Sequence, residues 1–187
     1  MRLSVRFGGL TLLEFSSNDT DDLFDVRNHP TVREFMPDTA PLNFPSHVNW
    51  LGQHVKQGGN LKLFIVRLAG EAIGFTLARR LPDDTVELGV IFKDADQHAG
   101  LPAQAAAIML YLSCEHMNAP AVITYVNVKH LRALTFNRGF GLIQTASSKP
   151  NELCFKTPRA TVLGNDRYKK IMSRVGRTLH LEYVDWP

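Results

Sequence analysis

A chain of 187 residues, 44% hydrophobic and 21% charged, has the size and composition of one globular domain able to bury a sizeable core. No stretch approaches the roughly eighteen uncharged apolar residues of a membrane-spanning helix, and a net charge of +3 is too modest to mark a nucleic-acid-binding protein. The two cysteines, Cys114 and Cys154, lie far apart with no Cys or His at ligand spacing, which argues against a disulfide framework or a zinc site and suits small buried hydrophobes. The opening "MRLSVRFGGLTLLEF" is basic, but it alternates and meets Glu14 instead of running into an apolar core, so a cytoplasmic location is expected.

Taken in chain order, the apolar periodicity alternates between strand-like and helix-like segments, which predicts a mixed α/β layer fold. "LTLLEF" reads as a strand, and "SSNDTDD" supplies oxygen acceptors for the first turn of a helix. Pro30 and Pro37 keep the helices there short, with "TVREFM" between them. A further helix starts at Pro45 and Ser46 and runs through "HVNWLGQHVKQ" to a glycine stop at Gly58 and Gly59. "LKLFIVRLAG" and "EAIGFTLARR" form a hairpin across "RLAGEAIG", and "TVELGVIF" is the next strand. A helix from about Leu101 places Ala105, Ile108, Met109 and Leu112 on one face. "AVITYVNV", the short helix "HLRALTFNRGF" ending at Gly139, and the strands "FGLIQTA" and "ELCFKT" follow. The natural division is a domain over 1–158 and an extension over 159–187, in which Tyr168, Ile171, Met172 and Val175 recur at helical spacing and pack the extension back on the domain. Between Arg159 and Arg177 six basic residues face one acid. A solvated basic face is the commoner meaning of such a run, and it also suits a phosphorylated ligand, an acidic partner or a dimer surface.

Chemistry concentrates where "VELGVIF" passes through "DADQHAGLPAQAA" into the alanine-rich helix. First-turn amides without intrahelical partners, together with the helix dipole, favour an anion there. Gly100 permits close approach of a phosphate, while Pro102 suits a helix start but removes one donor. On these residues alone a phosphate loop and a plain helix start are equally compatible. The stretch lacks both the Gly-Lys-Ser/Thr ending of an ATP-binding loop and the three-glycine dinucleotide fingerprint. Glu87 is the other notable group: alternation sets Val86, Leu88 and Val90 on one face and this lone carboxylate on the other. A carboxylate within an apolar strand is either ion-paired or functional.

The order of four motifs resembles the GNAT superfamily of acyl-CoA N-acetyltransferases, in the branch of ribosomal-protein N-terminal acetyltransferases and amino-sugar acetyltransferases. Gln97-His98-Ala99-Gly100-Leu101-Pro102 is similar to its Gln/Arg-x-x-Gly-x-Gly/Ala loop, with Pro102 departing from the small residue usual there. "VRNHPTVREFM" with "FPSHVNWLGQHV" looks like its first two helices, "VELGVIF" like its Glu-Leu-Gly strand, and "VNVKHLRALTFNRGFGL" like the asparagine-bearing strand end and the Gly-Phe that closes its fourth helix. The likeness covers about residues 10 to 157. It implies an α/β (α+β) fold with a central mixed, mostly antiparallel twisted sheet of about seven strands, helices on both faces, and a splay between the fourth and fifth strands.

The resemblance further implies acetyl-CoA as cosubstrate, no metal, and direct attack by an amine in a ternary complex. Its pantetheine arm would pair with Val90, Ile91 and Phe92, and its pyrophosphate would sit on Gln97, His98, Ala99, Gly100, Leu101 and Ala103. Asn127 and Phe136 complete that set, Asn127 one residue further from Gly-Phe than is usual. Gly89 reads as a bulge that opens the splay. Glu87 would accept the amine proton, and Thr135 or Tyr125 would protonate the departing thiolate. His130 falls where the branch often has Ser, and the remaining histidines show no metal spacing together. A protein amine, an amino sugar and a polyamine all stay open as acceptors, because the loops from Phe35 to Phe44 and after Ala146 carry no readable code. The alternative is a catalytically degenerate CoA-binding or protein-interaction module, and nucleic-acid binding through the tail is weaker still.

Overall fold

The computed structural model describes residues 1–36, 38–55 and 59–184. The strands are Arg2–Phe7 (β1), Leu10–Glu14 (β2), Leu61–Leu68 (β3), Glu71–Arg80 (β4), Val86–Phe92 (β5), Ala121–Asn127 (β6), Gln144–Thr145 (β7), Glu152–Pro158 (β8) and His180–Val184 (β9). The helices are Thr20–Asn28 (α1), Pro30–Arg33 (α2), Phe44–His54 (α3), Leu101–Tyr111 (α4), Leu131–Gly139 (α5), Arg159–Gly164 (α6) and Asp166–Val175 (α7). The strands form one open sheet in the order β7-β8-β6-β5-β4-β3-β2-β1-β9.

Local chemistry sets most of the helix starts. Asn43 caps α3 by accepting the Ser46 N–H, and Asn165 caps α7 by accepting that of Tyr168. Gly100, at a left-handed φ of 84°, turns the chain into α4. Helix α3 stops at His54, short of the expected glycine stop, of which Gly58 lies outside the described residues, as does Pro37.

Apolar periodicity decides which surface each element buries. On one face of the sheet Ile108 and Met109 of α4, both fully buried, pack with Val175 of α7 over Val5, Leu12, Phe64 and Val86. Each such side chain contributes about 1.5–3 kcal/mol by leaving water. The one polar group of β4 in that layer, Thr76, donates its hydroxyl to the Met109 sulfur at 3.2 Å, so its burial is compensated. On the other face Leu23 and Val26 of α1 and Leu51 of α3 cover Leu63, Ile65 and Phe75.

The edge strand β9, its neighbour β1 and a helix exceed the expected set. β1 and β9 pair antiparallel with each other, and α6 precedes α7, so among the described residues the sheet has nine strands where about seven were expected. "FGLIQTA" contributes only the two residues of β7. The pairing that matters for the site is β5 with β6, parallel and confined to Val86↔Val122 and Glu87↔Ile123, after which the two strands diverge. Gly89 is not a bulge, contrary to expectation: β4 and β5 keep unbroken register from Arg80↔Val86 to Gly74↔Phe92. A Cβ there would press within 3.1 Å of the Leu77 side chain, so the glycine eases packing on β4.

Candidate active site

Beyond Glu87 the β6-facing side of β5 has no strand partner, and a cleft of about 650 Å³ occupies the fork. Its floor is Leu88 to Phe92 on one side and Thr124 to Asn127 on the other. One end reaches Ala99, Gly100, Pro102 and Ala103 at the start of α4, together with Phe136 of α5. The other end passes between the strands to Arg27 of α1, Trp50 of α3, and Phe35 and Met36 after α2. The walls are largely apolar, which suits a site that orients its ligand through a few polar groups.

Of the residues singled out in the sequence, Val90, Ile91, Phe92, Ala99, Gly100, Ala103, Tyr125, Asn127 and Phe136 line this cleft. Gln97, His98, Leu101, Thr135 and Glu87 do not. The Leu101 N–H is already committed to the His98 carbonyl at 3.0 Å, and Pro102 has none. The first turn of α4 therefore offers the Ala103 N–H as its inward donor. Thr135 stands with Leu131, Arg132, Phe136 and Arg167 on a shallower neighbouring groove, and its hydroxyl donates to the Leu131 carbonyl at 3.0 Å. Asn127 accepts the Lys129 N–H through Oδ1, holding the turn after β6.

Glu87 is tightly held. Arg79, its cross-strand neighbour on β4, donates to Oε2 from Nε at 3.0 Å and from Nη2 at 2.6 Å. Lys149 lies 3.9 Å from its other oxygen. The same ammonium sits 3.6 Å above the Tyr125 ring and 3.5 Å from Oε2 of Glu152. Glu152 lines the cleft, and that oxygen is buried without a hydrogen bond. Burial is the main cause that pushes the Tyr125 phenol above its usual range, with Cys154, Glu87 and Glu152 adding to it, so Tyr125 stays protonated at neutral pH.

Several lining residues escaped the sequence reading. Glu152 sits directly opposite Asn127 in the β6–β8 register, a pairing that no local pattern announces. Arg132 forms an ion pair with Asp96 across the loop that precedes α4. Arg167 of α7 stands over Phe136 and Phe140, its Cζ 5.3 and 4.9 Å from their ring centres. It crosses α5 where Gly139 has no side chain, since a Cβ there would fall 2.2 Å from its Nη1. His130 caps α5 by accepting the Ala133 N–H through Nδ1 at 3.4 Å and stacks on Phe35 with ring centres 3.8 Å apart. Burial first, and the Arg132 charge second, lower its pKa and keep it neutral.

The donor set fits a polyanionic thioester ligand. An unpaired strand edge can meet an amide-bearing arm, and Gly100, Ala103, Arg132 and Arg167 offer room, an N–H group and two guanidinium groups for phosphates. Among the described residues no three His, Cys, Asp or Glu side chains are grouped to hold a metal ion, and no helix is long and apolar enough to cross a membrane.

Comparison with known proteins agrees with this geometry. Residues 9–142 match the family model described as an acetyltransferase (GNAT) domain. No curated protein sequence matches the chain. Among solved structures it is similar to a spermidine N-acetyltransferase from Vibrio cholerae in complex with CoA and spermine, with a TM-score of 0.70 and 14% identity over 83% of this chain and 98% of that one. It is likewise similar to a putative acetyltransferase (TM-score 0.71, 12% identity, 91% and 93% covered). A probable GNAT-family acetyltransferase from Chromobacterium violaceum gives a TM-score of 0.68 with 17% identity, covering 83% and 91%. At these identities the structures speak for the fold, while the family match covers most of the sequence: the chain belongs to the GNAT family of acetyltransferases.

Proposed function

We propose that this protein transfers the acetyl group of acetyl-CoA to a primary amine held in the same cleft. The observation that carries this reading is the fork between β5 and β6, with an unpaired strand edge on one side and the start of α4 at one end. Bound acetyl-CoA would supply an activated thioester, and the residues around it divide the remaining work. Val90, Ile91 and Phe92 present backbone to the pantetheine arm, with Asn127 and Phe136 on the facing wall. Gly100, the Ala103 N–H, Arg132 and Arg167 hold the phosphates. A strand N–H pointing into the fork polarises the carbonyl under attack.

An amine reacts only as its free base, so the protonated form needs an acceptor for its proton. We assign that role to Glu152, the carboxylate that lines the cleft. Glu87 supports it from behind by sharing Lys149, although Arg79 occupies its own Oε2. Tyr125, protonated and on the cleft wall, is the donor for the leaving thiolate in preference to Thr135, whose hydroxyl is engaged by Leu131. The test is isothermal titration with acetyl-CoA, followed by CoA-release assays against an amine panel. Binding with amine-dependent release is expected. Absence of acetyl-CoA binding would overturn the reading, and tight binding without transfer to any amine would favour the degenerate CoA-binding alternative.

A further inference from the structure

On the α1–α3 side of the sheet the cleft carries a cation that no carboxylate pairs among the described residues. Arg27 lines the cleft from α1, half-buried against the α1–α3 face of the sheet. Its Nη1 donates to Nδ1 of His47 at 3.0 Å, and its guanidinium lies 4.3 Å from the centre of the Trp50 ring. Arginine has only donors, so His47 must accept through Nδ1. His47 is itself 3% exposed, and burial first and the Arg27 charge second push its pKa below the usual imidazole range, which leaves it neutral. No carboxylate lies within ion-pair distance of Arg27 among the described residues.

Several other half-buried arginines of this chain are paired with carboxylates, and Arg33, which has none, spends its guanidinium on the Asn28 and Thr39 carbonyls. Arg2 and Arg67 are paired with Asp19, and Arg67 also with Asp22. Arg79 is paired with Glu87. Arg167 shares the lack of a carboxylate, but it stands over Phe136 and Phe140 on the α4 side, where cofactor phosphates account for it. Removing a guanidinium from water without an anion is costly. Arg27 is therefore a partly desolvated charge that a ligand's anion would neutralise, presented on an aromatic face on the side of the sheet opposite α4.

From this geometry we infer that the acceptor is an anionic amine, whose carboxylate or phosphate is held by Arg27 on Trp50 while its amino group lies towards Glu152. The inference rests on the acetyl-transfer reading above and narrows it. It sets this cleft apart from one built for a polyamine: Glu152 is the single carboxylate among its described lining residues, and a polycation would meet Arg27 head-on.

The experiment is calorimetric titration of the CoA-loaded protein with matched probes: phosphoethanolamine against ethanolamine, γ-aminobutyrate against 4-aminobutanol, and spermidine. At least one anionic probe should bind about tenfold or more tighter than its neutral partner, as expected for a charged hydrogen bond. Whether phosphate or carboxylate is preferred identifies which anion the site takes. Arg27→Met should abolish the preference, and Arg27→Lys should retain part of it, with the affinity for CoA in both variants within about twofold of the original. Equal binding of anionic and neutral partners, tighter binding of spermidine, or an anion preference that survives Arg27→Met would each overturn the inference while leaving acetyl transfer intact. Failure to load CoA at all would strike the acetyl-transfer reading instead.

Discussion

At the scale of single residues, Glu152 and Pro102 make separate and opposite predictions. Glu152→Gln removes the cleft carboxylate with little change of shape, and turnover with a protonated amine should fall about a hundredfold, the ordinary size of a general-base effect. Glu87→Gln should cost far less activity, because Arg79 already engages that group. Initial rates of CoA release for both variants, with folding checked by circular dichroism, distinguish the two, and a larger loss for Glu87→Gln would reverse the assignment. Pro102→Ala restores a first-turn N–H beside the Ala103 amide. It should tighten acetyl-CoA binding by about 1 kcal/mol, roughly fivefold, if a phosphate sits there. Unchanged or weaker affinity by titration would place the phosphates elsewhere. Alternation exposed Glu87 in the sequence, and a glycine-proline helix start exposed the phosphate loop. Arg27, Glu152 and Arg167 were not legible, since each becomes a site residue only through neighbours far away in the chain.

At the scale of elements, the pairing of β4 with β5 aims one wall of the cleft. Gly74 opposes Phe92 there, and a Cβ on it would fall 2.4 Å from the Ile91 carbonyl oxygen. Gly74→Ala must therefore push β5 away from β4, and overpacking of this kind costs about 1–3 kcal/mol. Chemical denaturation should show that loss, accompanied by weaker acetyl-CoA binding because Val90 to Phe92 shift together. Full stability in the variant would mean that the two strands yield easily. Strands β2 to β6 and β8 were legible as short apolar, strand-like runs mostly bounded by turn residues, and α4 from its apolar face. β1 and β9 were harder to see. β1 mixes Arg2, Ser4 and Arg6 with its apolar residues, and β9 becomes a strand by pairing with a segment at the other end of the chain.

At the scale of the whole molecule, two neutral histidines, His47 buried and His130 half-buried, make stability depend on acid. The pKa values of His47 and His130 are both lowered, chiefly by burial. In the unfolded chain both would protonate near pH 6.5. Their contribution is thus complete above that pH and is lost as the pH falls from there towards their folded values, the unfolded state taking up protons first. Melting temperatures between pH 7.5 and 5 should decline below about 6.5, and His130→Gln should flatten part of the slope. An unaltered slope in that variant would mean that His130 takes up its proton equally in both states. The two pairs that join β5 to β6 carry a mechanical meaning as well. β9 and β1 to β5 make one continuous antiparallel ribbon and β6 to β8 another, so the sheet is two plates fastened along a seam two residues long. Such plates can part or close around a bound molecule without breaking either ladder. Hydrogen exchange should accordingly find the amides of Ile123 and Leu88, which face each other's strand across the seam, opening more readily than those inside each plate, and slowing once CoA fills the fork.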